Sequence, residues 1–377
     1  MGRVRRLVAG SAAGLAAYAA GKVIIRGRTS LPDLHEQELL GSVRGRARSI
    51  RGPRASSLYT EWFPAPKASV NGNGLAGLEP AGALVLTHGW CVTEAIWHYQ
   101  KEAFGAGPHT LVTWDLPGHG HSTPMAKGRL SLDIAVDALA RVIDEVKEPD
   151  VLLVGHSLGG ILTLGYLERH PETARERVRG IVPASTPLMH HDASGKRRLP
   201  GAQVRSELVS LGMQLAVENS LVDGWFAREA GSSDQRAASY RLIRTGFGPR
   251  PSPSQVRFVR DMAASIPPQV RADTFRAMRE FDLRARLPEM RVPALVLAGA
   301  HDRLVVPEES RELAALLPKA HMEELPDAGH ALFLERAEEF NRLVGRFAAR
   351  RLRRNGAGAK GMQLPARPAA ASRRGTA

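Results

Sequence analysis

The chain has one cysteine, Cys91, in 377 residues, which excludes an intramolecular disulfide framework and leaves no thiol near the amino terminus to carry a lipid. A metal-binding set is missing too, because the 13 histidines are not accompanied by a Cys/Asp arrangement of the kind that holds zinc. No internal repeat stands out. The start MGRVRR lacks the Ser or Thr of a myristoylation signal. The uncharged run Leu7–Gly21 is mostly Ala and Gly and falls short of the roughly 20 apolar residues that a membrane span needs. Acidic residues are absent from 346–377.

The formal charge of +14 would suggest nucleic acid or an acidic membrane if it were spread over the chain, but it sits at the ends. Residues 1–55 hold 11 Lys+Arg against 3 Asp+Glu, and residues 346–377 hold 9 against none. The body between them therefore carries 32 basic and 35 acidic residues, a net −3. A nucleic-acid enzyme would place its basic surface beside its site, so no nucleic-acid partner is expected.

Residues 1–30 set Arg3, Arg5 and Arg6 before the apolar run, and Lys22, Arg26 and Arg28 after it. This pattern, with Ala17-Tyr18-Ala19, fits a signal peptide or an uncleaved anchor, and the alternative is an Ala-rich helix lying on the protein. The expected address is membrane-associated or exported. Residues 353–377 have few large apolar side chains and no acids, and they are expected to be a disordered basic tail. Residues 67–82 (KASVNGNGLAGLEPAG) are expected to be a turn or loop between strands.

What is present between the ends is an alternation. ALVLTHG (83–89), HTLVTWDL (109–116), DVLLVGHS (150–157), RGIVPAS (179–185) and PALVLAGAHD (293–302) are short, continuous apolar runs, which suit a parallel sheet covered on both faces. Between two of them, Leu132, Val136, Leu139, Ile143 and Val146 recur at helical spacing behind a candidate N-cap, Ser131. Phe333, Ala337, Phe340, Val344 and Phe347 repeat that stripe near the end. The expected fold class is therefore α/β, a doubly wound and mostly parallel sheet, with core segments 56–187 and 293–350. The stretch 188–292 is too long for a simple crossover and is helical in pieces, so it is expected to be an inserted helical cap.

The third run ends in Gly155-His156-Ser157-Leu158-Gly159, where a serine stands between a strand and a helix with glycines two residues to either side. A sharp turn there lifts the Ser157 hydroxyl above the sheet, and only small neighbours leave room for it. By itself such a pattern arises by chance in a chain with 37 glycines. Context strengthens it, because a serine nucleophile needs a histidine base held by a carboxylate, expected in the chain order Ser, Asp, His. Asp302 ends PALVLAGAHD and His330 follows LPDAG at another strand-to-helix junction. Asp327 competes for the acid role but reads more as a turn residue. His156 reads as part of the serine turn and His119 and His121 as loop residues, while His190-His191 opens the insertion. The amides of Leu158 and Trp90 are the expected oxyanion donors. Cys91 reads as a small packed residue.

With these motifs in place the chain resembles the α/β-hydrolase superfamily, in its cap-bearing branch of esterases, C–C hydrolases, epoxide hydrolases, dehalogenases and cofactor-free haloperoxidases. The resemblance spans roughly residues 56–350 and rests on HGW (88–90), DLPGHGHS (115–122), GHSLGG (155–160), GAHDRLVVP (299–307) and DAGH (327–330). Epoxide hydrolases and dehalogenases of this kind place an aspartate where Ser157 stands, which turns the expectation away from them. Pro117 stands where many relatives show arginine, so that arginine's role has no carrier here. The resemblance implies serine acyl chemistry with no metal or organic cofactor. The expected function is hydrolysis of carboxylic esters, with a small-molecule or lipid-like ester as substrate. The rivals are C–C bond hydrolysis or acyl transfer by the same triad, and a membrane-tethered binding protein without turnover.

Overall fold

A computed structural model describes residue 33 and residues 35–66, 82–125, 128–188, 233–279 and 282–352. The chain opens with strands β1 (Arg46–Arg51), β2 (Ser57–Phe63) and β3 (Ala83–Thr87). Helix α1 (His98–Phe104), strand β4 (Thr110–Trp114), helix α2 (Leu132–Glu145) and strand β5 (Val151–His156) follow. Next come helices α3 (Leu158–Arg169) and α4 (Pro171–Arg177) and strand β6 (Val178–Ala184). The described part of the insertion forms helices α5 (Ser233–Thr245), α6 (Pro253–Ser265) and α7 (Pro268–Arg279). The chain then returns through β7 (Ala294–Gly299), α8 (Pro307–Leu316), β8 (Ala320–Leu325), α9 (Leu332–Glu335) and α10 (Ala337–Arg351).

The strands form one sheet in the order β1-β2-β4-β3-β5-β6-β7-β8. The pairs β1–β2 and β2–β4 are antiparallel and every later pair is parallel. The five apolar runs are β3 to β7, and β3, β4, β5 and β7 are buried along their whole length. Alternate residues serve opposite faces, as the period of two requires. Val85 and Leu153 pack with Val136, Leu139 and Leu162 of α2 and α3. Leu84, Leu86 and Val154 pack with Phe333, Phe340 and Val344 of α9 and α10. The Ser131 hydroxyl caps α2 by accepting the Ile134 amide at 3.4 Å. The sheet begins at Arg46, ahead of residue 56.

Helices α5 to α7 occupy the described part of the long stretch between β6 and β7. Gln255 of α6 donates to the Leu334 carbonyl at 2.9 Å, and Trp90 donates through Nε1 to the Arg271 carbonyl of α7, also at 2.9 Å. Among the described residues no helix is long and apolar enough to cross a membrane. Residues 1–30, expected to be a signal or anchor, lie outside the described residues, as do 67–81, His190-His191 and the tail 353–377.

A buried ionic cluster underlies the loop that follows β3. Lys101 of α1 has a fully buried side chain, and its Nζ donates to Glu61 at 2.8 Å and also to Glu94. Arg44 adds a second cation at 3.1 Å from Glu94, and Tyr59 and Thr113 donate to the two carboxylates. Burial works to raise the Glu61 carboxyl, but the Lys101 hydrogen bond and charge outweigh it and hold it below its usual value. Lys101→Met should therefore destabilise the fold by about 3–5 kcal/mol near pH 8, because it leaves two buried carboxylates with only the exposed Arg44 as a cation. Glu94, which burial already raises, would rise further and Glu61 would lose the bond that holds it down, so stability is lost as pH rises and the deficit shrinks toward pH 5. Urea unfolding of both proteins at the two pH values measures it.

Candidate active site

Every named site residue sits beyond the carboxyl end of a strand on one rim of the sheet, where open α/β sheets gather their functional groups. Ser157 immediately follows β5 and is the N-cap of α3, with φ 52° and ψ −114°. This is strained for a residue bearing a Cβ and costs on the order of 1–3 kcal/mol. The turn closes through the Ser157 amide, which donates to the Ala184 carbonyl at 2.9 Å. The flanking glycines are dictated by backbone contact. A Cβ on Gly159 would lie 2.1 Å from the Thr87 carbonyl oxygen, and one on Gly155 would lie 2.3 Å from that of Gly159. Cys91, Ser185 and Asp327, at the ends of β3, β6 and β8, also have positive φ, so backbone strain concentrates at this rim of the sheet.

Asp302 lies beyond β7 and His330 in the loop after β8. His330 Nδ1 is 2.8 Å from Asp302 Oδ2, with the aspartate side chain fully buried and the imidazole 15% exposed. The other aspartate oxygen, Oδ1, accepts the amides of Leu304 and Val305, each at 2.9 Å. Asp327 is turned away, its carboxylate 3.6 Å from the exposed Arg250. The chain thus pairs His330 with Asp302 and leaves Asp327 as a turn residue. His330 is also held by its backbone, its amide donating to the Gly246 carbonyl at 2.6 Å and its own carbonyl accepting from His156 Nε2 at 3.0 Å. That last bond puts His330 against the residue preceding Ser157, with the two imidazole centroids 4.7 Å apart. Among the described residues no hydrogen bond joins the Ser157 hydroxyl to His330, a contact that commonly tightens only when substrate binds.

The loop after β3 faces this pair. Leu116 donates its amide to His88 Nε2 at 3.0 Å, so the ring proton is on Nδ1, which donates to the Gly89 carbonyl at 2.8 Å. A trans peptide points its C=O and N–H in opposite directions, so fixing the Gly89 carbonyl also aims the Trp90 amide away from His88. The Trp90 indole packs on Phe275 of α7, with centroids 5.2 Å apart. Leu158, the first residue of α3, has one of the amides that a helix leaves without an internal acceptor. Asp115 at the end of β4 joins the two loops by accepting the amides of Glu94 at 2.8 Å and His121 at 2.9 Å. Burial first, then the charge of Glu94, pushes the Asp115 carboxyl up to about 7. Burial holds His88 and His156 well below the ordinary imidazole value and His119 down to about 4. Of these three imidazoles, His156 precedes Ser157 and packs on His330, while His88 and His119 pack on each other with centroids 5.3 Å apart. Among the described residues no group of His, Cys, Asp or Glu is arranged to hold a metal ion.

Sequence reading overlooked the framework of this site: His88 as a clamp on the loop, Asp115 as a bridge, and Glu335. The Glu335 carboxylate accepts the Gly329 amide at 2.9 Å and the Gly248 amide at 2.6 Å. Its one signal is its place as the first acid after His330, at the end of the apolar run ALFL.

The Alpha/beta hydrolase family model matches residues 84–343. A pimeloyl-[acyl-carrier protein] methyl ester esterase of Stenotrophomonas maltophilia (strain K279a) is 29% identical over 272 residues, which are 71% of this chain and 92% of that protein. The protein of the same name from Vibrio cholerae is 26% identical over 268 residues, covering 71% and 94% of the two chains. Among solved structures, a thermophilic esterase from Thermogutta terrifontis superposes with a TM-score of 0.60 at 21% identity, covering 82% of this chain and all of that one. A bromoperoxidase from Bacillus anthracis gives 0.62 at 20% identity, covering 80% and 99%. The fold, the strained serine turn and the match over most of the sheet and the insertion agree: the chain belongs to the α/β-hydrolase family.

Proposed function

We propose that the protein is a carboxylic-ester hydrolase that works through an acyl-enzyme formed on Ser157. The observation that carries this reading is that a serine held at positive φ on a helix N-terminus and a histidine 2.8 Å from a buried aspartate share the carboxyl-end rim of the sheet, with the histidine's carbonyl bonded to the residue before the serine. His330 Nε2 removes the hydroxyl proton as Ser157 Oγ attacks the acyl carbonyl. Asp302 fixes the imidazole tautomer and stabilises the imidazolium that forms. The amides of Trp90 and Leu158 receive the oxyanion. His330 then returns the proton to the departing alcohol, and a water activated by the same histidine releases the acid. Helices α5 to α7 act as the cap over the acyl pocket, where Trp90 and Phe275 supply an apolar wall. The esterase relatives support an acyl ester with a small alcohol leaving group as the substrate class.

A p-nitrophenyl ester series from acetate to palmitate, run beside methyl esters of the same acids, tests the reading. Turnover is expected, with a chain-length optimum that sizes the pocket under the cap. A folded sample that hydrolyses none of these esters overturns it.

A further inference from the structure

We propose that Glu335 is a positioning residue for His330, its carboxylate tying the histidine loop to the turn that follows helix α5 of the insertion. The inference rests on the reading of His330 as the general base. Two backbone segments distant in sequence meet here. One is the loop 327–330 after β8 and the other is the turn 246–248 after α5. They touch along their main chains: a Cβ on Gly329 would lie 2.5 Å from the Phe247 carbonyl carbon and 2.6 Å from the Gly248 nitrogen, and one on Gly248 would lie 2.5 Å from the Asp327 carbonyl oxygen. The His330 amide donates to Gly246 across this contact at 2.6 Å. Glu335 completes it, with Oε1 on the Gly329 amide at 2.9 Å and Oε2 on the Gly248 amide at 2.6 Å.

One carboxylate thus takes the donor immediately before the histidine with one oxygen and the insertion's turn with the other. Bonds from amides to an ionised acceptor are stronger than neutral ones, so this pair fixes the loop more firmly than a main-chain contact alone. Arg244 braces the far side of the turn, donating to the Pro249 carbonyl at 3.0 Å. The position is otherwise unfavourable for a carboxylate. Burial raises Glu335 to about 7 against the pull of the Gly248 and Gly329 amides, with Asp302 adding to the rise and Arg244 opposing it. Beyond accepting these two amides, the acid supplies the register of His330 relative to the serine turn. Displacing a catalytic group by about 1 Å can lower a rate on the order of 100-fold.

Glu335→Gln and Glu335→Ala in the full chain test this. Glutamine retains one acceptor oxygen but turns an amino group toward the second backbone amide. Both variants are expected to lose kcat by on the order of 10- to 100-fold, alanine more than glutamine, with KM within about threefold. The rate at which a fluorophosphonate modifies Ser157 should fall by the same factor, in samples whose cooperative melting shows them folded. A folded variant that labels and turns over at the parent rate, or one that loses only melting temperature, overturns the positioning role. Should alanine fail to fold, the near-isosteric glutamine decides alone. Labelling of Ser157 needs no ester substrate, so the outcomes separate. If the parent chain labels but hydrolyses no ester, the substrate reading fails and the labelling rates still decide Glu335. If the parent does not label, the base assignment and this inference fall together.

Discussion

Ser157→Ala should lower kcat for ester hydrolysis on the order of 10⁶-fold while leaving KM within a few-fold and the melting temperature unchanged. The size follows from what remains. Without the hydroxyl no acyl-enzyme forms, and His330 has no proton to accept from the position it serves. The amides of Trp90 and Leu158 and the acyl pocket persist, so the variant keeps a residual acceleration over water of roughly 10³ to 10⁴ from oxyanion stabilisation and binding. KM holds because substrate binding uses the pocket and not the missing oxygen. Stability holds because alanine has a Cβ like serine and inherits the same strained backbone at φ 52°, while the turn's hydrogen bond to Ala184 belongs to the amide. Active-site titration with a fluorophosphonate should drop to background in parallel. A variant that keeps more than about a tenth of kcat would show that the nucleophile is another group.

The extent to which this molecule was legible in its sequence follows from burial. Strands β3 to β7 stand out as uninterrupted apolar runs because the sheet is covered on both faces there. At the edges that signal disappears. In β1, Arg46–Arg51, every residue but Ile50 is exposed, and β8 carries His321, Glu323 and Glu324 to solvent, so neither has an apolar pattern to read. The stripe from Phe333 to Phe347 reads as one helix, but the backbone leaves helical geometry at Arg336, with φ −131° and ψ 49°, and divides it into α9 and α10. At the site, the side chains proposed to act are legible as residue types, and those that hold the backbone are not. The serine turn and the Asp302–His330 order can be read from residue types. The preference for Asp302 over Asp327 comes from its place at the end of an apolar run, and in the fold only Asp302 reaches the imidazole while Asp327 lies beside Arg250. His88, Asp115 and Glu335 work by gripping main-chain amides and carbonyls, which no pattern of residue types announces.

Asp302→Asn separates orientation of the imidazole from stability, and it should reduce kcat on the order of 10⁴-fold with little change in unfolding free energy. The hydrogen bonds around the carboxylate dictate the outcome. Oδ1 accepts two amides, those of Leu304 and Val305. An asparagine must keep its carbonyl oxygen there, since turning its amino group toward two donors would leave both unsatisfied. The amino group therefore takes the place of Oδ2 and presents protons to His330 Nδ1, 2.8 Å away in the parent. That nitrogen can pair only by giving up its own proton, which moves the imidazole into the tautomer protonated at Nε2. A histidine protonated on the side that faces Ser157 cannot accept the serine proton. Asp302→Ala fails differently: it abandons the Leu304 and Val305 amides in a buried loop, costs about 1–3 kcal/mol for each, and loses activity and stability together. Measuring kcat beside urea unfolding for the two variants distinguishes the two effects. An asparagine variant that retains a tenth or more of the parent kcat would move the acid role away from Asp302, and Asp327→Asn would then be the variant expected to lose activity.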